Sequence, residues 1–398
     1  MKILIHFNTF SNVVGGSEYL PLLLIKEFQS RGHSVVLTVT SQSDVELACK
    51  NYDIAIDYSK FEMVDLSPQK SRARLFNRLF RCYREWKLQQ VAKRVDLCIS
   101  TVNPVDFGRP GFHFVYMLGF TPKTRAWVND LPYFKPKTPL IKELWRKISW
   151  WFAGTFLLSL RTPGEICQDA KECVYPNSNW VKQKIEDYYH CRICSCYYPP
   201  TVYQPYEGVI KRSDTVVFIG RINPQKKILE IISTVENVRH DTGVDLQLKI
   251  AGHLGNDAYA SQLRECAKRR AWVHLLGVVK GVEKQRLLAS SKFALHFLGK
   301  EAFGISIVEY LKSGVVPVVP NCGGAAEVVS ITGLCAKDTF EAVQILNRLV
   351  QDRHFYDNMQ SACLERAKNF SFERYMNSQK NIVEEILEEG IEIATPDC

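Results

Sequence analysis

The chain has 398 residues, 46% of them hydrophobic and 23% charged, so it is long enough for two cores and is neither a disordered polymer nor a collagen-like repeat. The net charge of +9 is mostly local: nine Lys or Arg and one acid, Glu85, lie between Ser67 and Arg94, a balance of +8, and a patch of that kind implies a partner. Thirteen scattered cysteines, an odd number, exclude a simple disulfide framework and fit reduced thiols in a cytosolic chain.

Lys2 to Asn8 reads as a buried strand, Thr9 to Gly16 as a loop, Ser17 to Arg31 as a helix and Ser34 to Thr40 as the next strand. This is the opening unit of a doubly wound α/β domain. No leader is expected, because Ile3 to Phe7 is interrupted by His6 and runs into a polar loop. Gly15 and Gly16 sit between a strand's carboxyl end and a helix, where such folds place ligands. They are not part of a G-x-G-x-x-G dinucleotide fingerprint.

Ser71 to Val91 has Leu75, Phe76, Leu79, Phe80 and Tyr83 at helical spacing, with Arg74, Arg78, Arg81, Arg84 and Lys87 largely on the other side. A basic amphipathic helix suits an anionic membrane surface, or packs on its own domain with a solvated basic face. A second cluster, Lys135 to Leu160, sets basic residues before Trp145, Trp150, Trp151 and Phe152, which tilts the reading toward the membrane. Nucleic acid is not expected, since no binding motif accompanies the charge. The longest apolar stretch, Ile148 to Leu160, has 13 residues and is too short to span a bilayer.

Val95 to Thr101 and His113 to Leu118 are further strands. A helix starts near Trp180. Cys194 to Tyr198 reads as a strand that Pro199 and Pro200 end. Cys191, Cys194 and Cys196, with Cys167 and Cys173 upstream, lack a second Cys-x-x-Cys or a His pair, so buried thiols are expected and no metal site. The domain boundary falls between Tyr198 and Ser213. The expected division is 1–200, 213–370, and a terminal helix and tail over 371–398.

The second domain opens with strand Thr215 to Ile219, then Gly220-Arg221-Ile222-Asn223-Pro224-Gln225-Lys226. Alternation continues through strand Leu246 to Ala251, helix Tyr259 to Arg270, strand Trp272 to Leu276, helix Glu283 to Ser290 and strand Phe293 to Phe297. Gly299 to Val329 then reads as a loop carrying Glu301 and Gly304, a helix carrying Glu309, a strand at Val315 to Val319 apolar enough to be central, and a Gly323-Gly324 turn into a helix with Glu327. Two helix N-termini beside one strand end offer bare N–H groups to an anion such as phosphate. After Thr339 the chain is helical, with breaks near Gln351 and Phe370.

The string from Glu301 to Glu309, the Pro-containing strand, the Gly-Gly turn and the Gly-Arg…Pro-x-Lys segment together resemble family 4 glycosyltransferases of the GT-B fold. Among these the chain looks most like the α-1,2-mannosyltransferases that extend lipid-linked oligosaccharides, through Glu-Ala-Phe-Gly-Ile-Ser-Ile-Val-Glu-Tyr-Leu, the Trp-rich segment and Tyr198-Pro199-Pro200. The resemblance implies two Rossmann-like doubly wound α/β domains facing a cleft, with the last helix crossing back to the first domain. It also implies retaining transfer of a hexose, mannose from GDP-mannose being the best match, from a nucleotide-diphosphate sugar to a glycan or lipid-linked acceptor. The enzyme would sit peripherally on the cytosolic face of a membrane.

By the same resemblance, Arg221 and Lys226 hold the diphosphate and Glu301 holds the donor sugar. Glu309 holds the ribose, and Gly15, Gly16, Phe303, Gly304, Ile305, Gly323, Gly324 and Glu327 shape the donor site. No Asp-x-Asp occurs, so the cations are expected to replace a metal and no cofactor is expected. The family's usual active-site His aligns with Tyr116, and His113 lies three residues earlier. Tyr116 is therefore the expected first-domain contact. A UDP-sugar transferase for a polysaccharide or glycolipid, a GT-B nucleotide-sugar epimerase and a non-catalytic sugar-nucleotide-binding protein are the competing expectations.

Overall fold

The structure is a computed structural model that describes residues 1–10, 16–40, 44–67, 77–116, 161, 163–188 and 193–394. The chain divides into two compact units, Met1–Pro200 with Met376–Cys398, and Thr201–Tyr375.

In the first unit, β1 (Lys2–Phe7), β2 (Ser34–Val39), β3 (Phe61–Asp65), β4 (Leu97–Ser100), β5 (Phe112–Val115) and β6 (Cys173–Pro176) form one sheet in the order β3-β2-β1-β4-β5-β6. All pairs are parallel, with Lys2 opposite Ser34 and Ile3 opposite Leu97. Ile3, Leu4 and Ile5 are wholly buried, as strands covered by helices on both faces require. The helices are α1 (Gly16–Ser30), α2 (Val45–Tyr52), α3 (Asn77–Ala92), α4 (Pro163–Gln168) and α5 (Asn179–Tyr188).

A buried ionic cluster secures the β5–β6 side of this sheet. Glu172 accepts from Gly111 N at 2.7 Å and from Arg161 Nη2 at 2.7 Å, and lies 2.9 Å from His113 Nε2. Arg161 also reaches Asp106 at 3.2 Å and Asp169 at 2.9 Å. His113 is thus committed to Glu172 within the core.

In the second unit, β7 (Ser213–Ile219), β8 (Gln247–Ala251), β9 (Val273–Gly277), β10 (Ser291–Leu295), β11 (Val316–Pro320) and β12 (Cys335–Ala336) run in the order β12-β11-β10-β7-β8-β9. Counted from each unit's first strand, the two sheets have the same order, 3-2-1-4-5-6. The helices are α6 (Ile228–Thr242), α7 (Ala258–Lys268), α8 (Gly281–Ser290), α9 (Ile305–Lys312), α10 (Gly323–Val329), α11 (Thr339–Gln351) and α12 (Arg353–Ala367). Asp257, Asp338 and Asp352 cap α7, α11 and α12 by accepting from Ala260, Glu341 and Phe355 N–H groups. The last helix, α13 (Phe372–Ala394), starts in the second unit and continues as part of the first. Among the described residues no helix is long and apolar enough to cross a membrane.

Two expectations are corrected. β11 is not central but next to the edge, because the two-residue β12 follows it. It is still buried on both faces, since α10 and α11 to α12 cover it, which is why its composition reads as central. Cys194 to Tyr198 is not a strand. Cys194 N donates to Val174 O and Tyr197 N to Pro176 O, so three residues advance against two and no regular ladder forms. The basic helix begins, among described residues, at Asn77. Its partners Leu88 and Ala92 are buried, while Tyr83 and Trp86 are 41% and 45% exposed. Leu75 and Phe76, the side chains of Leu79 and Phe80, and all of Lys135 to Leu160 lie outside the described residues.

Candidate active site

In a sheet of this order, ligands bind beyond the carboxyl ends of the strands where the winding reverses. In the second unit that point lies between β7 and β10. β7 delivers Arg221 and Lys226, and β10 delivers His296 and Glu301. Local sequence explains the turns. Asn223 Oδ1 accepts from Lys226 N at 3.3 Å, closing a 3-10 turn over Pro224–Lys226. Gly304, at φ +97°, occupies a backbone conformation that a side chain would strain, and it starts α9 without a side-chain cap. Tyr310 of α9 is fully buried, and its hydroxyl accepts from Ile219 N at 2.7 Å, so α9 is fastened to the end of β7.

Lys226 Nζ lies 2.5 Å from Glu301 Oε2, with only 15% and 19% of the two side chains exposed. His296 Nε2 stands 3.2 Å from the same oxygen, and the ring is 1% exposed. The contact is close but off the hydrogen-bonding line. Burial alone would raise the Glu301 carboxyl, but the His296 contact and the Lys226 charge outweigh it and hold it down to about 2. His296 is lowered, chiefly by burial, and therefore stays neutral near pH 7. Glu301 is thus an anion whose cation can be drawn away by a competing anionic ligand.

Glu309, on α9, is 7% exposed and pairs with Lys284 Nζ of α8 at 2.6 Å. Lys284 also lies 5.2 Å from the centroid of the Tyr203 ring. Arg221 is exposed. Ile305 is the first residue of α9, and Phe303 packs edge-on against Phe370 at 5.8 Å, so that its ring belongs to the core. Gly324 N donates to Glu301 O at 2.7 Å, and Gly323 sits at φ +81° against Gly299 O. Glu327, one turn into α10, accepts from Arg366 through its backbone oxygen at 2.8 Å.

Of the residues expected from the sequence, the second unit pairs Lys226 with Glu301 and sets Gly323 and Gly324 against the loop that carries Glu301, while Glu309 pairs with Lys284 and Arg221 is exposed after β7. Gly15 lies outside the described residues and Gly16 begins α1. Tyr116 follows β5 in the first unit, where its N–H donates to Asn103 Oδ1 at 3.0 Å. Its hydroxyl is buried without a partner among the described residues, and burial raises its pKa. Sequence reasoning missed His296 and Lys284. The available signal for His296 was a polar residue following the apolar run Phe293-Ala294-Leu295, since buried polar groups are rarely idle.

Two parallel six-stranded Rossmann-like sheets of one order, with a long last helix that leaves the second unit for the first, define the GT-B class. Residues 205–370 match the family Glycosyl transferases group 1, in agreement with the resemblance that the signature carries. Over 161 residues the chain is 29% identical to O-antigen chain mannosyltransferase B of Escherichia coli, covering 39% of this chain and 42% of that protein. Over 109 residues it is 25% identical to GDP-Man:Man(3)GlcNAc(2)-PP-Dol alpha-1,2-mannosyltransferase of Dictyostelium discoideum, covering 27% and 22%. The chain thus spans less than half the length of these curated relatives.

Among solved structures it resembles Anabaena Alr3699/HepE in complex with UDP and glucose, with a TM-score of 0.64, 16% identity, and 97% and 100% of the two chains covered. It also resembles WaaG, a glycosyltransferase involved in lipopolysaccharide biosynthesis, with a TM-score of 0.62, 14% identity, and 96% and 99% covered. These likenesses show the fold.

Proposed function

We propose that the chain is a retaining glycosyltransferase that moves a hexose, mannose from GDP-mannose, to a glycan or lipid-linked glycan at an anionic membrane surface. The observation that carries the transferase reading is the Lys226–Glu301 pair over buried His296 at the switch point, preceding an uncapped helix. A nucleotide-sugar diphosphate would take Lys226 as a counter-charge and Arg221 as a two-pronged donor, with the first amides of α9 completing the anion site. Glu301, released from Lys226, would accept from donor-sugar hydroxyls, and Glu309 would accept from the ribose.

In the transfer, the bond from the anomeric carbon to the β-phosphate oxygen breaks. A bond to the acceptor oxygen forms on the same face, and the acceptor's proton passes to the departing phosphate. The residues gathered at the site include cations enough to stabilise that leaving group, so we propose chemistry without a metal cofactor.

Mannose and GDP are supported by the two mannosyltransferases to which the chain is similar. The UDP-sugar reading is supported by the structural neighbour solved with UDP-glucose. Thermal-shift measurements with a panel of GDP- and UDP-sugars separate them. Selective stabilisation by GDP-mannose is expected, whereas selective stabilisation by a UDP-sugar overturns the mannose assignment.

The membrane reading is supported by exposed Tyr83 and Trp86 beside Arg84 and Lys87 on α3. The protein is expected to sediment with anionic liposomes at low salt and to be released as salt rises. Failure to bind at low salt contradicts it.

A further inference from the structure

The first unit brings together side chains that no spacing pattern in the sequence connects. Cys173 and Tyr175 are two residues apart on β6 and share one face of the sheet. Ile193 bridges Val174 in parallel, and Cys194 N donates to Val174 O at 2.9 Å, which sets Cys194 on that same face. α13 packs closely over the sheet: a Cβ on Gly390 would stand 2.4 Å from Leu97 Cδ2. The preceding residue, Glu389, reaches Cys173, whose Sγ donates to Oε2 at 2.9 Å. The two sulfurs and the carboxylate oxygen all lie within 4.8 Å of one another.

A second observation points into the same place. The Tyr175 side chain, on the same face of β6 as Cys173, is fully buried, and its hydroxyl has no hydrogen-bond partner among the described residues. Buried hydroxyls ordinarily have a hydrogen-bond partner, so this one calls for an explanation.

We propose that Cys173, Cys194 and Glu389 form a binding site for a soft divalent cation, zinc by its ligand chemistry, that fastens α13 to the sheet of the first unit. Two thiolates and a carboxylate suit zinc and leave a fourth position for water. The Tyr175 hydroxyl can donate to that water or to the second lobe of the carboxylate. Binding forms two metal–sulfur bonds, and the two thiol protons leave to solvent. All three ligands belong to the first unit. The ion therefore serves the fold and is separate from the proposed donor chemistry, which uses residues of the second. Cys194 is also the second cysteine of Cys191-Arg192-Ile193-Cys194, whose first member lies outside the described residues. The sequence grouped Cys173 and Cys194 but could not signal the third ligand, a carboxylate 216 residues from Cys173.

The test is metal analysis of the full chain, purified with its thiols reduced, together with titration by zinc and by cobalt. One zinc per chain is expected, with two protons released per ion and a thiolate-to-cobalt charge-transfer band on substitution. Cys194→Ser and Glu389→Gln are expected to abolish stoichiometric binding. Tyr175→Phe, which removes only the partnerless hydroxyl, is expected to keep the fold and weaken zinc about tenfold. The proposal is overturned if the reduced wild-type chain takes up no zinc. It is equally overturned if Glu389→Gln and Cys194→Ser bind zinc as the wild type does, or if Cys173 and Cys194 are recovered as a disulfide.

Discussion

Lys226→Met is expected to lower kcat/KM for sugar transfer by roughly 10²- to 10³-fold while leaving the second unit folded. That is about 3 to 4 kcal/mol of transition-state stabilisation, the size found when one preorganised donor to a developing negative charge is removed. The methionine keeps most of the aliphatic stem, so packing changes little, and the lost quantity is the charge 2.5 Å from Glu301. A second effect runs in the same direction. Without Lys226, the Glu301 carboxylate keeps only neutral His296 beside it, and burial, which raises its pKa, is less opposed. Arg221→Ala is expected to cost about 3 kcal/mol by the same argument. Steady-state kinetics with the donor selected by thermal shift checks both. A loss below about fivefold in either variant would mean that the diphosphate lies elsewhere.

Gly324→Val is expected to destabilise the second unit by about 3 kcal/mol, the upper end of the overpacking range, and to abolish donor-induced stabilisation. Even the first added carbon would stand 2.1 Å from Ala302 O, 2.5 Å from Ala302 C and 2.7 Å from Phe303 N. Those are backbone atoms and cannot rotate away. They belong to the loop that carries Glu301, and Gly324 N already holds that loop through Glu301 O at 2.7 Å. The substitution therefore moves Glu301 relative to Lys226 even if the unit stays folded. Urea denaturation and ligand thermal shift measure the two consequences separately. An unchanged midpoint with retained donor response would contradict the close approach of α10.

The fold was legible where chemistry is repetitive. Ile3-Leu4-Ile5 and Val316-Pro317-Val318 are apolar on both faces because helices cover both sides of each sheet, and that pattern survives without any knowledge of partners. Position within the sheet was less legible, since β12 is only Cys335–Ala336 and two residues carry no period. Cys194 to Tyr198 looked like a strand because its side chains suit one, while the pairing that decides the matter depends on β6.

At the site, the motifs pointed to Glu301, Glu309 and Lys226, but not to Lys284 or to which cation pairs with which carboxylate. Lys226 is 75 residues from Glu301 and Lys284 is 25 from Glu309, and only the folded sheet order brings each pair together. His296 looked like part of a strand because it follows one. The expected first-domain contacts were the least legible. Tyr116 is placed in the first unit, while Gly15 lies outside the described residues.

The most direct measurement is a crystal structure of the chain with GDP-mannose. The account requires phosphate oxygens within hydrogen-bond distance of Lys226 Nζ and the Arg221 guanidinium, with Glu301 turned from Lys226 to the sugar hydroxyls. A donor bound away from the end of β7, with the Lys226–Glu301 pair intact, would contradict it.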